Sequence, residues 1–133
     1  MSRNLPTTDF IVTVAFFSCK SLKGTAAKVA DKLDLDWFSG IHEVPGWGLL
    51  FEKEIEAPHL EKTIEEMLEK TLLVKSELEE YEIHAIQLGI VPYISSQTNP
   101  GVAISDKALR LLMDMAEDNI KVNIDIDIYL SGD

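Results

Sequence analysis

The chain has 133 residues, 46% hydrophobic and 26% charged, with 23 acidic and 12 basic side chains that leave a formal net charge of -11. That length carries one domain with its own core, and that composition excludes a disordered chain. A surface this negative repels nucleic acid and anionic lipid, which argues against either as a partner, and it attracts basic proteins.

In chain order, residues Phe10 to Phe17 are β-rich and apolar on both faces, which predicts a central strand. The run FIVTVAFFSCK also has the outline of a lipoprotein signal ending at Cys19. Asp9 stands directly before that run, Phe16 lies three before the cysteine, and Arg3 is the one base ahead of it, so the strand is the better reading. One cysteine makes no internal disulfide and has no metal-ligand spacing around it, so the expected compartment is the reducing cytosol.

KGTAAKVADKLDLDWF follows, with Thr25 at a capping position and Ala26, Val29, Ala30 and Leu33 at helical spacing, and predicts the first helix. SGIHEVPGWGLLFEKEIE places a Pro45-Gly46 turn between two extended runs. It predicts a hairpin whose second strand sends Trp47, Leu49, Phe51 and Ile55 to one side, and Gly48, Leu50, Glu52 and Glu54 to the other.

Pro58 suits a first helical position, and Leu60, Ile64, Met67, Leu68 and Leu72 recur three or four apart. A break near Leu73 is expected to divide this helix from a further stretch running from Lys75 to about Tyr81. EIHAIQLGIV predicts a strand stopped by Pro92, and SSQTNPG a loop. Ser105 reads as the N-cap of a helix holding Leu109, Leu112, Met113 and Met115. The closing run KVNIDIDIYL alternates strictly, with Val122, Ile124, Ile126, Ile128 and Leu130 on one side and Asn123, Asp125, Asp127 and Tyr129 on the other.

The order β-α-β-β-α-β-α-β predicts a single α+β domain over residues 1–133. Its expected core is a ferredoxin-like split βαβ unit extended by one helix and one strand, with a mixed sheet and helices mainly on one face. If Ile124, Ile126 and Ile128 press against those helices, Asp125 and Asp127 lie on the open face. Thr13, Gln87, Glu52 and Glu54 would share that face, register permitting, over a shallow floor of Ala15, Gly48, Ala85 and Gly89.

Asp125 and Asp127 stand about 7 Å apart on one face of one strand. An acid–base pair needs two carboxylates in unlike environments across a cleft, and a hard metal needs several converging oxygens. One strand supplies neither, so the pair reads as a solvated sheet face or a binding surface. His42, His59 and His84 lie in different elements without metal-ligand spacing. Cys19 has only Lys20 and Lys23 nearby to activate it. GWG and GTAAK lack the spacing of a phosphate loop, and Trp47 in an alternating strand reads as core. The chain is therefore expected to be no enzyme and to use no metal or cofactor, unless His84, Asp125 and Asp127 converge in the fold.

The acidity is concentrated. Phe51 to Glu82 holds 11 acids and 4 bases, and Asp114 to Asp133 holds 6 acids and 1 base. Glu61, Glu65 and Glu69 recur every four residues, with Glu66 beside them. Like charges at that spacing weaken a helix, so the row serves either solubility or docking.

Three features together resemble a bacterial family catalogued as domain of unknown function 4279. They are an N-terminal strand leading to a short helix that ends Leu33-Asp34-Leu35, a Gly46-Trp47 strand, and a C-terminal helix running into a strand that ends Asp127-Ile128-Tyr129. The resemblance covers most of the chain and implies a compact α+β protein without a catalytic motif. Some members are similar to immunity proteins encoded beside polymorphic toxins. The function this implies is a cytosolic immunity protein that neutralises a basic, nuclease-like toxin. Two patches are candidates for its interface: Asp125, Asp127 and Tyr129 on the sheet, or Glu61, Glu65, Glu66 and Glu69 on the helix. The alternative is a small-molecule-binding or regulatory module with a pocket between sheet and helices.

Overall fold

A computed structural model describes residues 9–18, 38–44, 48–78, 82–94, 101–116 and 120–130. The elements are β1 (Phe10–Ser18), β2 (Gly40–Val44), β3 (Gly48–Ile55), a 3-10 turn (Ala57–His59), α1 (Leu60–Leu78), β4 (Ile83–Ile94), α2 (Asp106–Met115), β5 (Lys121–Ile126) and β6 (Tyr129–Leu130). The predicted helix over residues 23–38 lies outside the described residues except for Phe38. So do the Pro45-Gly46 turn, Trp47, Cys19 and most of the SSQTNPG loop.

The strands form one mixed sheet in the order β2-β3-β1-β4-β5, with β6 also beside β4. β2, β3, β1 and β4 are antiparallel to their neighbours, while β5 and β6 run parallel to β4. A parallel neighbour requires a crossover, and α2 lies in it. β1 is central because both its faces are apolar: Phe10, Val12, Val14 and Phe16 are buried on one, and Ala15 on the other.

The first of those faces carries the core. In register across it stand Val14 with Phe51 and Leu88, and Phe16 with Leu49 and Ile86. α1 adds Leu60, Ile64, Met67 and Leu68, and α2 adds Ala108, Leu112 and Met115, all in one cluster. Phe51 anchors it, with its ring centroid 5.8 Å from Phe16 in a T-shaped contact and 5.6 Å from Phe38. Leu49, Phe51, Ile64, Met67, Leu68, Ile86 and Leu88 are fully buried. Each such side chain contributes about 1.5–3 kcal/mol, so clearing room there for a ligand would cost a large part of the fold's stability.

Asp9 locks the corner where strands meet helix. Its N–H donates to the Ile55 carbonyl at 2.9 Å and its carbonyl accepts from Tyr93 N–H at 2.9 Å. Its carboxylate accepts from Ala57 N–H at 2.7 Å, satisfying a donor at the start of the 3-10 turn that leads into α1.

Three expectations require correction. α1 runs unbroken through Leu73, because Leu60–Leu78 contains no glycine or proline and the core stripe continues through buried Thr71 and Lys75. β4 does not stop at Pro92 but continues to Ile94. Ile124, Ile126 and Ile128 are not pressed against the helices: they are 39%, 48% and 56% exposed. The ten-residue α2 brings only Val122 of β5 against the core, leaving the rest of that edge uncovered.

Pro92 is tolerated for a geometric reason. Asp127 N–H donates to the Ile90 carbonyl at 3.0 Å, so Ile90 faces the C-terminal strand, and Pro92, two residues on, faces the same way. A regular parallel ladder would there send an N–H to the Asp127 carbonyl. Proline has none, and the pairing divides into β5 and β6 at that point.

Candidate functional site

The face away from the helices is where the sequence places its polar strand positions, and the register aligns them. One row crosses five strands: Gly40, Glu52, Thr13, Gly89 and Asp125. The adjacent row holds His42, Leu50, Ala15, Gln87 and Asn123. On the other side stand Glu54, Ile11 and Val91, with Asp127 continuing the row at the register kept by Tyr93 and Tyr129 beyond it. Glu52, Glu54, Thr13, Gln87 and Asp125 thus share one face as expected, with Gln87 and Glu54 on the rows to either side of Asp125. Of the expected floor, Ala15, Gly48 and Gly89 are buried and Ala85 is half-buried.

Tyr93 and Tyr129 close one end of this face. Their ring centroids are 5.1 Å apart with planes at 67°, an edge-to-face pair. Burial raises the Tyr93 pKa above its ordinary 10.0, and the negative charges of Glu54 and then Glu52, with Tyr129, raise it further. The phenol therefore remains a neutral hydrogen-bond donor beside two carboxylates at neutral pH. Among the described residues neither Asp125 nor Asp127 meets a cation. The face combines a small-residue floor, a row of acids and an amphipathic aromatic pair.

The helix patch lies on the other side of the sheet and is partly used within the fold. Ser105 caps α2 by accepting from Ala108 N–H at 3.1 Å, and its hydroxyl donates to Glu65 Oε2 at 2.6 Å. Lys107 Nζ stands 4.0 Å from Glu65 Oε1 and 3.4 Å from Glu69 Oε1. Lys107 thereby offsets the like-charge spacing of Glu65 and Glu69, and Glu65 joins α1 to α2. Glu61 is exposed and Glu66 half-buried. The two candidate patches, Asp125, Asp127 and Tyr129 against Glu61, Glu65, Glu66 and Glu69, do not form one surface.

Tyr93 was not legible as a site residue because Pro92 reads as a strand end. The signal that could have found it is the alternation Gln87, Gly89, Val91, Tyr93, which runs through the proline without a phase change. His84 and Asp125 do not converge, since His84 stands five residues before Gly89 on β4, about 16 Å along the strand. Among the described residues no group of three or more His, Cys, Asp or Glu side chains could hold a metal ion, and no helix is long and apolar enough to cross a membrane. No family model, curated protein or solved structure matches the chain.

Proposed function

We propose that this chain is a protein-binding module of the immunity type, which neutralises a basic, nuclease-like bacterial toxin in the cytosol by covering its nucleic-acid-binding surface. The observation that supports this reading is the open face itself, where Glu52, Glu54, Asp125 and Asp127 share one side of the sheet with the Tyr93–Tyr129 pair. Rows of carboxylates steer a basic partner toward the face, while tyrosines supply rigid anchors at low entropic cost. The resemblance to the domain of unknown function 4279 family supports the same reading. We also propose that the fold is built on a ferredoxin-like split βαβ core, since the strand order β2-β3-β1-β4 fits one whose β1-to-β2 connection lies outside the described residues.

The test is co-expression with the product of the neighbouring gene, scoring growth rescue and co-purification. Rescue with a complex whose association rate falls steeply with salt, and falls again in Asp125→Asn/Asp127→Asn, is the expected result. A harmless or non-binding neighbour would remove the immunity reading. The Glu61 and Glu66 pair serves as the internal control, because the sheet-face reading expects Glu61→Gln/Glu66→Gln to bind as the wild type does.

A further inference from the structure

β5 is the outermost strand at its end of the sheet, and among the described residues it pairs only with β4. Asp127 turns its backbone N–H to β4, so by alternation Asn123 and Asp125 face β4 as well. The N–H and C=O groups of Val122, Ile124 and Ile126 therefore point outward. An edge of this kind is a template for another strand, and proteins ordinarily blunt it with lysine, proline, a bulge or a covering element. Here the single lysine is Lys121 at the start, and Ile124, Ile126, Ile128 and Leu130 are 39%, 48%, 56% and 71% exposed along one side of the edge.

We infer that the β5 edge is the docking site of an extended segment of the partner protein, added as a further strand and carrying lysine or arginine at alternate positions. This inference rests on the basic-partner reading above and specifies where and how that partner binds. The charge pattern selects the occupant. Registers that stack the isoleucines of a second copy on these isoleucines set odd residues against odd residues; several bring carboxylate against carboxylate, one sets Lys121 against Asp127, and all of them bring together two chains of net charge -11. That mutual repulsion disfavours self-pairing, whereas alternating bases meet Asp125 and Asp127 on the open face while apolar residues between them cover Ile124 and Ile126. The outward backbone groups give affinity and the alternate side chains give selectivity.

The probe is a fluorescent peptide alternating lysine with valine, compared with one alternating glutamate with valine, measured by anisotropy against the full chain. Ile126→Pro is the informative variant, because its lost N–H points away from β4 and the native pairing survives. Circular dichroism and the thermal midpoint check that the fold is kept, and Ile124→Lys, which blunts the edge without a backbone change, is the second variant. The expected result is salt-dependent binding of the lysine peptide only, weakened about tenfold or more by either variant.

Binding that both variants leave unchanged, but that Glu52→Gln/Glu54→Gln removes, would overturn the edge as docking site and leave the basic-partner reading standing. Equal binding of the glutamate peptide would overturn both. Absence of peptide binding would overturn the edge proposal. A concentration-dependent dimer in sedimentation, dispersed by Ile126→Pro, would give the edge to a second copy and overturn it likewise.

Discussion

Thr13 Oγ1 stands over Gly89 so closely that a Cβ at position 89 would lie 2.5 Å from it. The two are cross-strand partners at the centre of the open face, and Gly89 is in turn the partner of Asp125. The row that carries the acidic face thus has no room for a side chain at position 89 beside Thr13. Gly89→Ala should destabilise the fold by about 1–3 kcal/mol through overpacking. Adding Thr13→Ala, which removes Oγ1, should recover most of that loss in chemical denaturation, whereas Thr13→Ser, which keeps it, should not. Additive effects of Gly89→Ala and Thr13→Ala would mean that the close approach is not what excludes a side chain.

Ser105 joins two helices through one hydroxyl, accepting from Ala108 N–H and donating to Glu65. Ser105→Ala should cost about 1–2 kcal/mol, at the upper part of the range for N-caps, because the half-buried Glu65 carboxylate loses its donor as well. Glu61→Gln, at an exposed position on the same helix, should change stability by less than about 0.5 kcal/mol. A double-mutant cycle between Ser105→Ala and Glu65→Gln measures the coupling. A coupling near zero would return Glu65 to the solvated face that its spacing suggested.

How much of this was legible follows from where the sequence signal is local. The alternation in β1 and β3, and the stripe Leu60, Ile64, Met67 and Leu68, fix which side chains turn inward, because period and burial agree, and the C-terminal run keeps the phase that sets Asp125 beside Gly89 on the open face. The core and the side on which Asp125 lies were readable for that reason. Coverage was not readable: Ile124, Ile126 and Ile128 have the period of a buried strand, but the reach of α2 decides whether anything lies over them. Pro92 misled because its lost donor matters only in relation to the neighbour it faces. Glu65 misled because its partners, Ser105 and Lys107, are 40 and 42 residues away in sequence.

Tyr93 titrates above the ordinary 10.0 because burial and the charges of Glu54 and Glu52 penalise its ionised form. Glu54→Gln should lower that pKa, seen as an earlier rise of tyrosinate absorbance, with Tyr129→Phe separating the two phenols. The linkage has a definite sign. A folded-state pKa above the unfolded one means that the folded chain holds the proton more tightly, so this contribution is complete below pH 10 and is lost as pH rises through the folded value. Wild type should therefore lose stability above about pH 10 faster than Glu54→Gln does. Parallel alkaline unfolding curves for the two proteins would show that Glu54 does not act on this phenol.

Pro92 faces the Asp127 carbonyl across the gap between β5 and β6, so replacing it by alanine supplies the N–H that the parallel ladder lacks. Two opposing effects of similar size are expected. The new hydrogen bond contributes about 0.5–1.5 kcal/mol, and the restored freedom of the unfolded chain costs about 0.4–1 kcal/mol. Stability is thus a poor readout, and amide exchange is the direct one. In Pro92→Ala the amide at position 92 should exchange as slowly as those of Ile90 and Tyr93, which flank it on β4. The amide of Tyr129, which faces the position 92 carbonyl in the same ladder, should slow with it as β5 and β6 become one strand. Exchange at position 92 as fast as in an unstructured peptide would mean that this amide does not face Asp127, and that the division of the edge strand has a cause other than the proline.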